Sequence, residues 1–195
     1  NEIVVTVGGS EAIDIALRCL VSAGDEVIIP EPCFVAYKPC AILAGATPVT
    51  INLRKEDQFK LTPELLEQAI TDKTKVLILP YPNNPTGAVM TKKDLAGIVE
   101  VLKDKDIIVL SDEIYAELSY EQEHVSIASF PEMKEKTIVI NGFSKAYAMT
   151  GWRLGYACGH PGLIGAMLKV HQYAIMCSPT TAQKAAVEAL KNGDK

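Results

Sequence analysis

The sequence predicts a three-layer αβα domain, doubly wound around a mostly parallel seven-stranded sheet. Short apolar runs rich in Val, Ile and Leu alternate along the chain with stretches of helical period, the alternation that builds a sheet buried on both faces. The chain has 195 residues, 48% of them hydrophobic, which suits one domain, or one domain and part of another, around a large core.

The strands are expected at Ile3–Val7, Glu26–Ile29, Pro48–Ile51, Lys75–Leu79, Ile107–Leu110, Thr137–Ile140 and Leu154–Cys158. The first helix runs to about Val21, with Ile13, Leu17 and Leu20 on one face and Ser10 as its cap. Pro39 falls inside an apparently helical run from Phe34 to Leu43, implying an irregular first turn or a kink. Thr62-Pro63-Glu64 reads as a cap followed by proline at the first helical position. Thr91 caps the next helix with Asp94 at the capping-box position, where aspartate is a weaker partner than glutamate. Pro161 and Pro179 open the last two helices, and residues 53–60 and 119–136 read as polar surface connections.

Composition excludes several function classes. A net charge of -5 without a basic cluster argues against nucleic acid and anionic membranes. No run approaches the roughly 20 apolar residues of a membrane span. The five cysteines are odd in number, scattered and without a C-x-x-C pair, which favours free thiols in a reducing cytoplasm over disulfides or zinc. His124, His160 and His171 lack ligand spacing and read as surface or loop residues, so no metal is expected. The chain opens at Asn1 and closes just past a helical pattern, so both ends are expected to be cut from something longer.

Chemistry-bearing residues collect at the predicted strand ends. Val7-Gly8-Gly9-Ser10 leads a strand through glycines into a helix N-terminus, where free N–H groups and the helix dipole favour an anion. A plain glycine turn explains it as well, and it is neither G-x-G-x-x-G nor a Walker loop. Pro80-Tyr81-Pro82-Asn83-Asn84-Pro85-Thr86-Gly87 follows a buried strand, where doubly wound sheets bind ligands. Asp112 ends another buried strand, with Tyr115 three residues on. A carboxylate there is either paired with a cation or functional. Glu113 is the alternative acid but points the opposite way along an extended chain. Lys145 sits among small and aromatic residues, and Arg153 follows Trp152 in an apolar context that calls for an anionic partner.

Taken in order, G-G-S, E-P-x-F, N-N-P-T-G, S-D-E-I-Y and G-F-S-K-A-Y-A-M-T-G-W-R-L-G span residues 8–155. This series resembles the class I/II, fold-type-I aminotransferases, which use pyridoxal 5'-phosphate (PLP). The resemblance implies that Lys145 is the Schiff-base lysine and later the proton shuttle. It implies that Asp112 pairs with the pyridine nitrogen and keeps the ring an electron sink, and that Asn84 and Tyr115 bond its phenolic oxygen. Phe34 would stack on the ring, while Gly9, Ser10, Ser144 and Arg153 would bind the phosphate. The chain departs from many relatives in carrying Gly142 where they have a phosphate-binding serine, which puts more weight on Ser144 and Arg153. The last strand, Leu154–Cys158, is expected to run antiparallel.

The resemblance further implies that residues 1–195 are a PLP-binding large domain, without the N-terminal segment and the small C-terminal domain that carries the substrate-carboxylate arginine. The implied activity is transfer of an amino group between an amino acid and a 2-oxo acid, in a cytoplasmic homodimer that binds neither nucleic acid nor membrane. A PLP-dependent C–S β-lyase of the same fold, or the PLP-sensing domain of a transcription regulator, are the alternatives.

Overall fold

The computed structural model describes residues 1–193. Its strands are β1 (Ile3–Thr6), β2 (Glu26–Glu31), β3 (Thr47–Asn52), β4 (Thr74–Leu79), β5 (Ile108–Asp112), β6 (Thr137–Gly142) and β7 (Gly155–Cys158). They form one seven-stranded sheet in the order β1-β7-β6-β5-β4-β2-β3. The pairs among β2 to β6 are parallel, and β7 runs antiparallel to both β6 and β1. The expected strand set and the reversed last strand are both present.

Burial on both faces explains why the strands read as unbroken apolar runs. In β4, Val76 and Ile78 enter one core while Leu77 and Leu79 enter the other, the period-two alternation of a pleated strand. The first core is closed by α1 (Gly8–Leu20), α2 (Tyr37–Leu43) and α6 (Pro161–Ala174). The second is closed by α3 (Pro63–Ala69) and α4 (Lys92–Leu102), through Leu66, Leu95, Ile98 and Leu102. A smaller cluster packs α7 (Thr180–Asn192), through Ala182 and Ala186, on Phe143, Met149 and Leu154. None of these helices is long and apolar enough to cross a membrane.

The proline-led starts are as expected. Thr62 Oγ1 accepts from Leu65 N–H at 3.3 Å before Pro63, and Thr91 with Asp94 completes a reciprocal capping box. Thr91→Ala is expected to cost about 1 kcal/mol of stability in urea unfolding, because the side-chain acceptor for the Asp94 N–H is lost.

Four local expectations fail. Ser10 is not the cap of α1, which begins two residues earlier because Gly8 turns the chain at φ +76. The Glu11 carboxylate accepts from the Val7 N–H instead. Helix α2 starts at Tyr37 rather than Phe34, which leaves Pro39 in the first turn, where no donor is required. Residues 53–60 and 119–136 are not wholly surface: Leu53, Ile127 and Met133 are buried in the second core. His171 is buried in α6, not superficial, and its Nδ1 lies 2.7 Å from Glu11 Oε1.

Candidate active site

The C-terminal ends of the parallel strands open onto one cleft of about 210 Å³. Its walls come from six separate junctions: β1 into α1, β2 into α2, the loop after β4, the end of β5, α5 (Phe143–Ala146) after β6, and the turn before β7 that carries Thr150 and Arg153. The structure brings all nine singled-out residues into this cleft: Gly9, Ser10, Phe34, Asn84, Asp112, Tyr115, Ser144, Lys145 and Arg153. Parallel strands impose this convergence, since every strand-to-helix turn then emerges on the same edge.

Asp112, only 7% exposed, ends β5. Its Oδ2 accepts from the Tyr37 hydroxyl at 2.7 Å and its Oδ1 from the Ile114 N–H at 3.2 Å. Burial pushes the carboxyl above the usual carboxylate range, and the Tyr37 bond offsets part of that rise. It makes no ion pair among the described residues.

Glu113 points to the opposite side of β5, as the alternation requires. There it accepts from Ser111 at 2.8 Å and Ser126 at 2.6 Å, and its Oε2 lies 2.8 Å from His124 Nε2. The network ties the returning loop to the strand and leaves Asp112 as the acid of the cleft. The tandem asparagines divide in the same way. Asn83 Oδ1 holds the turn by accepting from the Thr86 N–H and hydroxyl, whereas Asn84 lines the cleft.

Lys145 lies in the single turn of α5, which is anchored by buried Phe143 and Ser144. Its Nζ is 5.6 Å from the centroid of the Tyr115 ring. The strand before it ends in Gly142, where a Cβ would meet Gly155 Cα at 2.9 Å and the Leu154 carbonyl oxygen at 3.0 Å. A serine therefore has no room at this position, and Ser144 is the hydroxyl this segment presents to the cleft.

Arg153 adopts a left-handed backbone at φ 51, and its Nη1 donates to the Thr150 carbonyl at 2.9 Å. The guanidinium lies against Gly8, where a Cβ would come within 2.6 Å of Nη2. β7 itself abuts this turn, since a Cβ at Gly155 would meet Gly8 C at 2.7 Å and Gly9 N at 2.8 Å. Two glycines, Gly8 and Gly155, thus bring an arginine fork to a helix N-terminus, two anion-favouring features at one place. Gly8→Ala is expected to cost about 1–2 kcal/mol through its left-handed backbone and to displace the guanidinium. A lowered Tm together with weaker phosphate binding in calorimetry checks both effects.

Sequence reasoning missed Tyr37 and Thr150. Thr150 lines the cleft and its hydroxyl donates to the Ser144 carbonyl at 2.8 Å, bracing the lysine turn against the arginine turn. Tyr37 carried a readable signal, standing three residues after Phe34 in E-P-C-F-V-A-Y, the spacing that puts two side chains on one side of a turn.

The aminotransferase class I and II family model matches residues 1–195. The chain is 56% identical over 193 residues to YugH of Bacillus subtilis (strain 168), which carries an aminotransferase name, with 99% of this chain and 50% of that one covered. It is 44% identical to an aspartate aminotransferase of Pyrococcus abyssi, covering 98% of this chain and 50% of the relative. Among solved structures, an aromatic aminotransferase from Pyrococcus horikoshii OT3 superposes with a TM-score of 0.95 at 45% identity, covering 99% of this chain and 52% of that chain. The chain spans about half the length of the curated relatives it matches.

Proposed function

The chain belongs to the class I and II aminotransferases, a PLP-dependent family, and from that premise we propose that its cleft is the cofactor half of a transaminating active site. The reaction would exchange an amino group between an amino acid and a 2-oxo acid. The observation that carries this reading is the meeting of Lys145, Asp112 and Arg153 in one cleft with Asn84, Tyr115 and Phe34.

The residues present fit PLP. A buried carboxyl without a cationic neighbour is costly, and Asp112 is such a group unless a protonated pyridine nitrogen faces it. The arginine fork beside the N-terminus of α1 suits a phosphate dianion.

When bound, PLP supplies an electrophilic carbon for the substrate nitrogen and a ring that delocalises the electrons of the broken Cα–H bond. The protein's residues do the rest. Lys145 Nζ would hold the cofactor and would take and return a proton at the substrate Cα. Asp112 would keep the ring nitrogen protonated. Asn84 and Tyr115 would hydrogen-bond the phenolic oxygen, and Phe34 would pack against the ring. Gly9, Ser10, Ser144 and Arg153 would anchor the phosphate and fix the cofactor's orientation.

We read residues 1–195 as the PLP-binding large domain of a longer enzyme, consistent with their coverage of half of each relative. We also place the enzyme in the cytoplasm, on the five free thiols, and read it as a homodimer. Exposed Tyr173 in the last turn of α6, and Ile175 and Met176 just past it, support association.

The test is to load the full-length protein with PLP and supply a panel of amino acids with 2-oxoglutarate. Formation of glutamate and the matching oxo acid supports the reading. Release of ammonia and pyruvate from a thioether amino acid, with no glutamate, would replace it by the C–S lyase.

A further inference from the structure

The turn assigned to the phosphate is held from behind by two titratable side chains, Glu11 and His171, that have no role in the reading above. We propose that Glu11 and His171 are positioning residues that keep Val7-Gly8-Gly9-Ser10 in its anion-binding shape, an inference that rests on the PLP reading of the same cleft.

The turn does not hold itself. Val7, at φ -79 and ψ 68, is neither helical nor extended, and it offers α1 no side-chain cap. Gly8 follows at φ +76, with Gly9 next to it. Glycine loses more conformational freedom on ordering than any other residue, so two in succession need outside contacts to settle where their N–H groups point. Thr6 supplies one contact, its buried hydroxyl donating to the Gly8 carbonyl at 3.0 Å. Glu11 supplies the other. From the first turn of α1 its Oε2 accepts from the Val7 N–H, which closes a ring around both glycines. A carboxylate in a first turn is also favoured by the helix dipole.

His171 keeps that carboxylate in place. It stands in the last turn of α6, and its Nδ1 lies 2.7 Å from Glu11 Oε1, across 160 residues of sequence. The two side chains are only 4% and 14% exposed, for His171 and Glu11 respectively. With one partner on each oxygen, the carboxylate has one orientation. The helices beneath the pair share the first core, α1 through Ile13 and Leu17 and α6 through Ile164 and Met167, so the anchor is as rigid as the packing behind it.

Neither residue lines the cleft. Gly9, Ser10 and Ile13 are the α1 residues that do, whereas Glu11 meets α6. The pair therefore acts through backbone alone, by fixing the N–H groups and the Ser10 hydroxyl that would receive the phosphate. An ordinary tie between two helices would stabilise the protein and leave its preference among ligands unchanged. A positioning role is selective for the ligand that carries the phosphate.

The experiment titrates cofactor-free full-length protein with PLP and, separately, with pyridoxal, which has a hydroxyl in place of the phosphate. In Glu11→Ala the affinity for PLP is expected to fall roughly 10- to 100-fold, the worth of about one hydrogen bond to a charged group. Affinity for pyridoxal should stay at the wild-type value. The phosphorus resonance of bound PLP should move towards that of free PLP. Glu11→Gln keeps an acceptor for the Val7 N–H and a polar partner for His171, and should restore both the affinity and the resonance. Equal losses for the two ligands, no loss for either, or a glutamine variant that behaves like alanine would each overturn the proposal.

If Glu11→Ala does not fold, His171→Phe is the second arm. It keeps a ring in the core and removes only the anchor, so a smaller loss is expected, again for PLP and not for pyridoxal. An unchanged ratio of the two affinities overturns the proposal. Failure of the underlying reading is distinguishable: wild type itself would then bind no PLP on Lys145.

Discussion

Lys145→Ala is expected to abolish the visible absorbance of bound PLP and any borohydride-fixed adduct, and to lower transamination roughly 10³-fold or more. An effect of that size follows from removing a covalent nucleophile that also moves the proton. No other lysine lines the cleft among the described residues, so no neighbour can take over either task. Stability should barely change, because Lys145 makes no ion pair among the described residues and contacts chiefly the face of Tyr115. The comparison therefore separates chemistry from folding: unchanged Tm, lost absorbance, lost turnover. Peptide mapping of the reduced wild type completes the test. A label on any other lysine would sink the assignment, and with it the roles given to Asn84 and Tyr115, which are placed relative to the same ring.

Much of the fold was legible because its signals are local. The strands announce themselves as β-branched runs between glycine and proline punctuation, and Thr62, Thr91 and Pro161 mark helix starts within three or four residues. The cleft residues were legible for a related reason, since a parallel sheet presents every strand end on one edge and rare residue types at those ends stand out. What escaped depends on contacts distant in sequence. His171 read as superficial because its partner Glu11 lies 160 residues away. Tyr37 read as one more helical residue because Asp112 is 75 residues on. Residues 119–136 are mostly polar, while buried Ile127 and Met133 decide where the loop packs. Ser10 misleads for a different reason: a serine before an apolar period looks like a cap, but the turn at Gly8 starts the helix earlier and leaves Ser10 inside its first turn.

Asp112→Asn is the second large effect, and it should separate activity from stability in opposite directions. In the PLP-loaded protein, turnover is expected to fall by roughly 10²- to 10⁴-fold. A neutral amide cannot hold the pyridine nitrogen protonated, and stabilisation of charge developing in a buried site is commonly worth that much. The cofactor-free protein should respond the other way. Burial raises the folded-state pKa of Asp112 above its unfolded value, so between those two values the folded state binds more protons than the unfolded one. Stability must then decline as pH rises through that window, which opens near the ordinary aspartate value of about 3.9. Wherever the buried carboxyl is charged the wild type carries that penalty, and an asparagine removes it. The amide can still satisfy both neighbours, its oxygen accepting from the Ile114 N–H and its NH₂ donating to the Tyr37 oxygen. Cofactor-free Asp112→Asn should therefore melt higher than cofactor-free wild type at neutral pH, with the gap narrowing on acidification. Added PLP should reverse the order, because only the carboxylate gains a cationic partner. Thermal melts at two pH values, with and without PLP, check the whole pattern. If the wild type is the more stable cofactor-free protein at neutral pH, the cleft carboxylate is satisfied by the protein alone, and the case for a pyridinium opposite Asp112 loses its physical basis.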